Sequence, residues 1–310
     1  MTDDMKAKPA LDEIDGPTGD HLQRVLLEEA NARCVVVHLD RVLDEVLGRG
    51  HYPAIVADRL AEALVVTALC SSGLKFEGRI SLQLRSPAAL SLLMADCTDQ
   101  GGLRGLARFD ADGVAADASG DLRALSADGT LTMTLEPSER GQTYQGIVPL
   151  LGAGLGEAME AYFRQSEQLE TRIRVVVGQG RAAGLLLQKL PGEAADPDGW
   201  NRLGHLLDTV SLDELQNTDA GTLLHRLFHE EPRRLFPARP LVFHCPCSRE
   251  RVLAVLRGLG EAELTDILET RGEVDVDCQF CNQNYHFDAL DLKQLIHTDA
   301  PEVPDGDSIH

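Results

Sequence analysis

The sequence predicts an α+β protein: an N-terminal, mostly antiparallel sheet with packed helices, then a helical linker region, then a small C-terminal domain built on four cysteines. Three observations predict this. Short β-branched or alternating segments recur among helical ones through the first two-thirds of the 310 residues, which is the pattern of a sheet with helices laid on it. From Gly192 to Pro240 the composition shifts to short amphipathic pieces broken by Gly, Asp and Pro. Finally, Cys245 and Cys247 form C-x-C, and Cys278 and Cys281 form C-x-x-C. The expected domains are a disordered tail over 1–18, a core over 19–191, a linker over 192–240, a cysteine domain over 241–297 and a second disordered tail over 298–310.

In chain order, Arg33 to Leu39 is a β-branched strand, and His38 within it reads as a sheet histidine with its hydrogen bonds met. Pro53 starts a helix to about Cys70, with Ile55, Val56, Leu60, Leu64 and Val65 on one face. Phe76 to Leu84 alternates, placing Ile80, Leu82 and Leu84 inward. Pro87 opens another helical segment. Gly105 to Phe109 and Thr130 to Leu135 are strands linked by the Gly- and Asp-rich stretch Asp110 to Gly120. Thr143 to Leu150 is a strand, Gly156 to Thr171 a helix, and Ile173 to Val177 and Leu185 to Leu190 are strands. In the linker, Leu203, Leu206, Leu207 and Val210, then Leu212 and Leu215, then Leu223, Leu224, Leu227 and Phe228, mark helices too short to stand without a neighbour to pack on.

The cysteines carry the chemistry. Two close thiol pairs, about thirty residues apart, suit a tetrahedral ion, and zinc is the common one: each pair grips two corners and the chain between wraps the metal. Ser248 caps a helix with Val252, Val255, Leu256 and Leu259 on its apolar face, ended by Gly260. Leu264, Ile267 and Leu268 mark a second helix, Gly272 turns the chain, and Val274, Val276, Tyr285 and Phe287 alternate as two strands flanking the second cysteine pair. So small a core depends on its metal. Thiolates are also what oxidants attack, so oxidation would expel zinc and melt what it holds.

Other patterns carry less. Gly152-Ala153-Gly154-Leu155-Gly156-Glu157 puts a carboxylate where a dinucleotide fingerprint needs glycine, and Gly178-x-Gly180-x-x-x-Gly184 lacks the Lys-Ser/Thr of a phosphate loop, so both read as turns. His225 and His229 stand four apart, but Arg226 occupies the place of a metalloprotease glutamate, and they read as surface or packing histidines. No nucleophile elbow appears, so the expectation is not an enzyme. A net charge of −21 opposes nucleic acid and anionic membrane as partners. The polar N-terminus and the lack of a long apolar run predict a cytoplasmic chain with reduced thiols. Cys34, Cys70 and Cys97 read as small buried hydrophobes.

Phe243 to Arg251 (FHCPCSRER) and Glu273 to Phe287 (EVDVDCQFCNQNYHF) resemble the thirty-three-kilodalton chaperonin family, the redox-regulated bacterial heat-shock chaperones. Leu74 to Gln83, Leu103 to Arg108, Tyr144 to Leu150 (YQGIVPL), Ala161 to Thr171, Gly184 to Pro191 and Leu223 to Glu230 extend the resemblance over residues 20–297. It implies an inactive reduced monomer holding one zinc through Cys245, Cys247, Cys278 and Cys281. It further implies that oxidants pair Cys245 with Cys247 and Cys278 with Cys281, that zinc leaves, and that a metastable linker unfolds. The active form is then a homodimer holding unfolding or aggregating client proteins without ATP. Two alternatives compete. A thiol-disulfide oxidoreductase would need its C-x-x-C at a helix N-terminus, whereas Cys278 follows a strand. A zinc-ribbon nucleic-acid binder conflicts with nine acidic against four basic residues in 241–290.

Overall fold

The structure is a computed structural model that describes residues 19–74, 77–116, 120–138 and 141–297. Both expected tails and Phe76, the expected start of a strand, lie outside the described residues. The chain divides into two compact units, one ending at His244 and one beginning at Cys245.

In chain order the first unit carries β1 (His21–Leu27), β2 (Ala32–Leu39), α1 (Arg41–Leu47), α2 (Ala54–Ser71), β3 (Gly78–Arg85), β4 (Leu90–Thr98), β5 (Gly102–Phe109), α3 (Ala111–Ala116) and α4 (Leu122–Leu125). There follow β6 (Thr130–Pro137), β7 (Tyr144–Val148), α5 (Leu155–Gln165), β8 (Thr171–Gly178), β9 (Arg181–Lys189), α6 (Gly199–Asp208), α7 (Leu212–Asn217) and α8 (Ala220–Phe228). Three short strands close it: β10 (Arg233–Leu235), β11 (Arg239–Pro240) and β12 (Val242–Phe243).

The strands form two sheets. One runs β10-β1-β2-β9-β8, with β11 also on β1; the other runs β12-β5-β4-β3-β6-β7. The pairings are antiparallel except that of β12 with β5, which is parallel. Helix α2 touches strands of both sheets, and every residue from Leu60 to Ser71 is buried. The expected single apolar face is therefore a helix enclosed on nearly all sides, as its Ala- and Val-rich sequence permits.

The first sheet is buried on both faces, which explains the unbroken apolar run in β2. Val35, Val37 and Leu39 enter the α2 core, while Cys34 and Val36 enter a second core on the opposite face. Helices α6, α7 and α8 cover that second face with Leu203, Leu207, Leu215, Leu223 and Phe228. The neighbour the linker helices require is thus the outer face of β1, β2 and β9. Ser211 and Asp219 cap α7 and α8, accepting from Glu214 N at 3.1 Å and Thr222 N at 2.9 Å. Arg174 donates to Leu207 O and Val210 O at 2.9 and 3.1 Å, tying the end of α6 to β8. Arg202 clasps Glu231 and Asp196, each at 2.7 Å.

Several expectations are corrected. The helix after Pro87 is strand β4: its Leu- and Ala-rich sequence favours helix, but ladders to β3 and β5 on both sides override local propensity. The helix expected over Gly156 to Thr171 stops at Gln165. Gln168 takes φ 56°, Leu169 N donates to Phe163 O at 2.9 Å, and this left-handed cap frees Thr171 to begin β8. Asp110 to Gly120 is not plain loop, because α3 lies within it. Leu212 is 51% exposed and contributes nothing to the linker core.

The glycine motifs are turns. The first backbone donors of α5, Leu155 N and Gly156 N, are taken by Glu62 Oε1 at 2.7 and 3.3 Å. A Cβ at Gly154 would collide with that carboxylate. Gln179 and Gly180, both at positive φ, make the tight turn between β8 and β9.

The second unit carries α9 (Arg249–Arg257), α10 (Glu261–Thr270), β13 (Val274–Asp277), β14 (Asn284–Phe287) and α11 (Ala289–His297). Its core is five buried side chains: Leu256, Leu264, Phe287, Leu292 and Leu295. The third helix, α11, was not expected; Asp288 caps it, accepting from Leu290 N and Asp291 N at 2.8 and 2.9 Å. Val255, expected inside, is 69% exposed, and Leu259 42%. Gly260 does not end α9, which stops at Arg257; at φ 89° it is the N-cap of α10. Leu241, expected in the cysteine domain, is buried in the core of the first unit.

Candidate metal centre

Two knuckles build the site. Cys245 and Cys247 lie just before α9, whose cap Ser248 accepts from Arg251 N at 3.3 Å. Cys278 and Cys281 lie in the turn of the β13–β14 hairpin, which is closed by Cys278 N to Gln283 O at 2.9 Å and Asn282 N to Cys278 O at 2.7 Å. Asn282 takes φ 58°, a conformation asparagine tolerates. Arg249 ties the two knuckles into one frame: it stacks 4.3 Å over the Phe287 ring, donates to His286 O at 2.6 Å and pairs with Asp291 at 2.6 Å.

This frame brings the four sulfurs within 4.8 Å of one another. Cys245 Sγ lies 3.6 Å from Cys278 Sγ and Cys247 Sγ lies 3.2 Å from Cys281 Sγ, and none of the four sulfurs is in a disulfide. Zinc–sulfur bonds near 2.3 Å put tetrahedral sulfurs about 3.8 Å apart, so these spacings suit one ion. Among the described residues this is the one group of three or more potential ligands so close together.

The protonation pattern points the same way. Burial pushes the Cys247 thiol up, but hydrogen bonds from Tyr285 and the neighbouring sulfurs outweigh it and bring it down to about 7. Burial and the three neighbouring sulfurs push Cys281 up to about 12, against a backbone hydrogen bond at Gln283. One thiolate is thus readily formed, and each further negative charge is costly without a cation among them. The donor set fits a soft divalent ion held by all four cysteines. Such an ion would compensate the thiolates and bind the hairpin to the start of α9.

Tyr285 is the residue sequence reasoning missed. Its hydroxyl donates to Cys247 Sγ at 3.2 Å, and its own pKa is raised to about 12 by that bond. The strand alternation assigned it only a packing role; its position four residues past Cys281 was the available signal. Cys34, Cys70 and Cys97 are buried away from the cluster, and burial raises all three thiols. His225 and His229 are exposed, with stacked rings 6.4 Å apart. His38 Nε2 bonds Leu215 O at 2.8 Å.

Comparisons with known proteins find relatives over most of the chain. A family model described as Hsp33 protein matches residues 20–288. A 33 kDa chaperonin of Pseudomonas aeruginosa is 45% identical over 282 residues, covering 89% of this chain and 94% of its own. A 33 kDa chaperonin of Methylobacillus flagellatus is 40% identical over 299 residues, covering 94% and 99%. Among solved structures, the 33 kDa chaperonin of Thermotoga maritima shares the fold with a TM-score of 0.75 at 21% identity, covering 89% of this chain and 98% of its own. With the family matched over most of its length and relatives aligned nearly end to end, the chain belongs to the Hsp33 family.

Proposed function

We propose that this chain is a cytoplasmic, ATP-independent holdase, switched on by oxidation of its four-cysteine zinc centre. Family membership supports a chaperone role, since the curated relatives are named 33 kDa chaperonin. The observation that carries the switch is the convergence of four unbridged thiols in a unit with, among the described residues, five buried hydrophobic side chains. So small a core is marginal without its ion, and structural zinc contributes on the order of 10–16 kcal/mol.

In the reduced monomer, Cys245, Cys247, Cys278 and Cys281 hold zinc. Hypochlorous acid takes two electrons from each thiolate pair, giving a disulfide, chloride and hydroxide. As the resemblance to the family implies, the pairs that form are Cys245 with Cys247 and Cys278 with Cys281, neighbours two and three positions apart. Linker helices α6, α7 and α8 then leave the sheet, uncovering their own apolar faces and those of β1, β2 and β9. These surfaces capture unfolding clients, and oxidised chains pair as homodimers. No turnover is involved, so the chain is not an enzyme; neither nucleic acid nor membrane is a partner.

The Cys278–Cys281 pair in a hairpin turn, not at a helix N-terminus, disfavours an oxidoreductase. The test is light scattering of an aggregating client, with zinc and free thiols titrated before and after hypochlorite. Suppression is expected only after about four thiols and one zinc are lost. Equal suppression by the reduced, zinc-loaded chain would overturn the proposal.

A further inference from the structure

A cavity of about 440 Å³ lies between the two sheets of the first unit, beside the end of α2. Its walls are mostly apolar: Leu74, Ile80, Met133, Leu135, Phe163 and Leu169. Its size is that of a small-molecule pocket. The polar groups divide between two ends.

At one end, the Glu167 carboxylate is satisfied. It accepts from the Tyr162 and Tyr144 hydroxyls at 2.8 and 3.2 Å. At the other end stands Arg33 of β2. Its Nε donates to Gln188 Oε1 at 3.1 Å and its Nη1 to Ser72 O at 3.2 Å. Gln188 is itself fixed by donating to Thr171 Oγ1 at 2.8 Å. Among the described residues no carboxylate pairs with Arg33, and Nη2 donates to no protein acceptor. Burial costs the guanidinium its hydration, and this lowers its pKa. Arg33 is a half-buried cation with neutral hydrogen-bond partners, and it opens on an apolar cavity where a carboxylate could meet it.

We propose that this cavity binds an amphipathic monocarboxylate, its carboxylate on the free donors of Arg33 and its hydrocarbon body among the apolar walls. Arg33 supplies specificity, because a planar guanidinium edge matches a carboxylate and gives a hydroxyl much less. The site is independent of the zinc centre and of the linker helices, so its occupancy is read in the reduced chain.

The experiment is calorimetric titration of decanoate and of 1-decanol into the reduced, zinc-loaded, full-length chain. One decanoate per chain is expected, bound about tenfold or more tighter than 1-decanol. Arg33→Met should bring decanoate down to the level of the alcohol. Leu135→Trp, which fills the cavity and leaves Arg33 in place, should abolish binding of both. Because Arg33 also ties Gln188 and Ser72, circular dichroism and zinc content are followed in both variants, and the Leu135→Trp result stands without Arg33. Equal binding of acid and alcohol by the unmodified chain, non-saturating binding of several decanoates, or unchanged binding in Leu135→Trp would overturn the proposal.

Discussion

The linker is held to the first sheet by burial, and Phe228→Ala tests whether that hold is what keeps the protein quiet. Phe228 is fully buried, the last residue of a nine-residue helix that touches β1 and β2. Truncating such a side chain costs about 3–5 kcal/mol. The helix has too few turns to persist alone, so the loss falls on its docking. Local opening cannot cost more than global unfolding, which is about 5–15 kcal/mol. The variant should therefore open its linker on the order of a hundred- to a few-thousand-fold more often. Cleavage between residues 192 and 240 is measured by limited proteolysis in reducing buffer, alongside zinc content and client light scattering. The expected result is fast cleavage and partial holdase activity with zinc still bound. Leu212→Ala, in the same linker but 51% exposed, should change neither. Fast cleavage with no gain in client protection would refute the claim that uncovering this face creates the client surface.

Three further outcomes follow from the same geometry. Cys278→Ser should lower metal affinity sharply and raise linker cleavage without oxidant; unchanged cleavage in the metal-free variant would break the link between metal and linker. Tyr285→Phe removes the hydroxyl on Cys247 Sγ and should weaken zinc binding about tenfold in a chelator competition, with equal affinity counting against any role for that bond. His38 is held below its usual pKa by burial first, with His21 also lowering it and Leu215 O and Asp219 opposing. A depressed histidine pKa contributes stability above about pH 6.5 that is lost as pH falls through the folded-state value. Linker cleavage should therefore rise on acidification below pH 6.5, and His38→Gln should flatten that rise; an identical rise in the variant would place the titration elsewhere.

What the sequence made legible was local. Cys245, Cys247, Cys278 and Cys281 stand out as candidate ligands because their spacing alone sets two pairs of donors, and the fold brings the four sulfurs together. The linker helices show because Leu203 with Leu207, and Leu224 with Phe228, repeat at helical spacing within single segments. What stayed hidden depended on distant partners. In β1 the polar Gln23 is buried and donates to Phe236 O, and Arg24 stacks 4.2 Å over the Phe236 ring. No window around His21–Leu27 contains those partners, so its mixture of polar and apolar residues reads as nothing in particular. β4 was hidden in the opposite sense: its residues favour helix, and only two flanking strands make it extended. α11 was legible, since Leu292, Leu295 and Ile296 follow a capping Asp288 at helical spacing.

On the proposed function, the segment between α8 and Cys245 carries the coupling, and its construction sets the order of events. β10 has three residues, and β11 and β12 two each. The last hydrogen bond of this run to a sheet is His244 N to Leu103 O at 2.9 Å, and the first cysteine of the cluster, Cys245, follows immediately. Each such bond contributes about 0.5–1.5 kcal/mol net, against about 1–2 kcal/mol to order each residue. A two-residue strand therefore persists only while its far end is held, and zinc release frees that end. Fraying from β12 next meets Leu241, buried at 3% exposure, and Arg239, which donates to Asp99 O and Ser71 Oγ, each at 2.6 Å. Beyond them the Arg202–Glu231 pair guards the end of α8. Hydrogen exchange after chelation should lose protection at His244 first, then at Leu241, then in α8, and Arg239→Met should shorten the delay before α8 opens. Loss of protection in α8 while His244 remains protected would mean that the linker is released by some route other than unzipping from the metal.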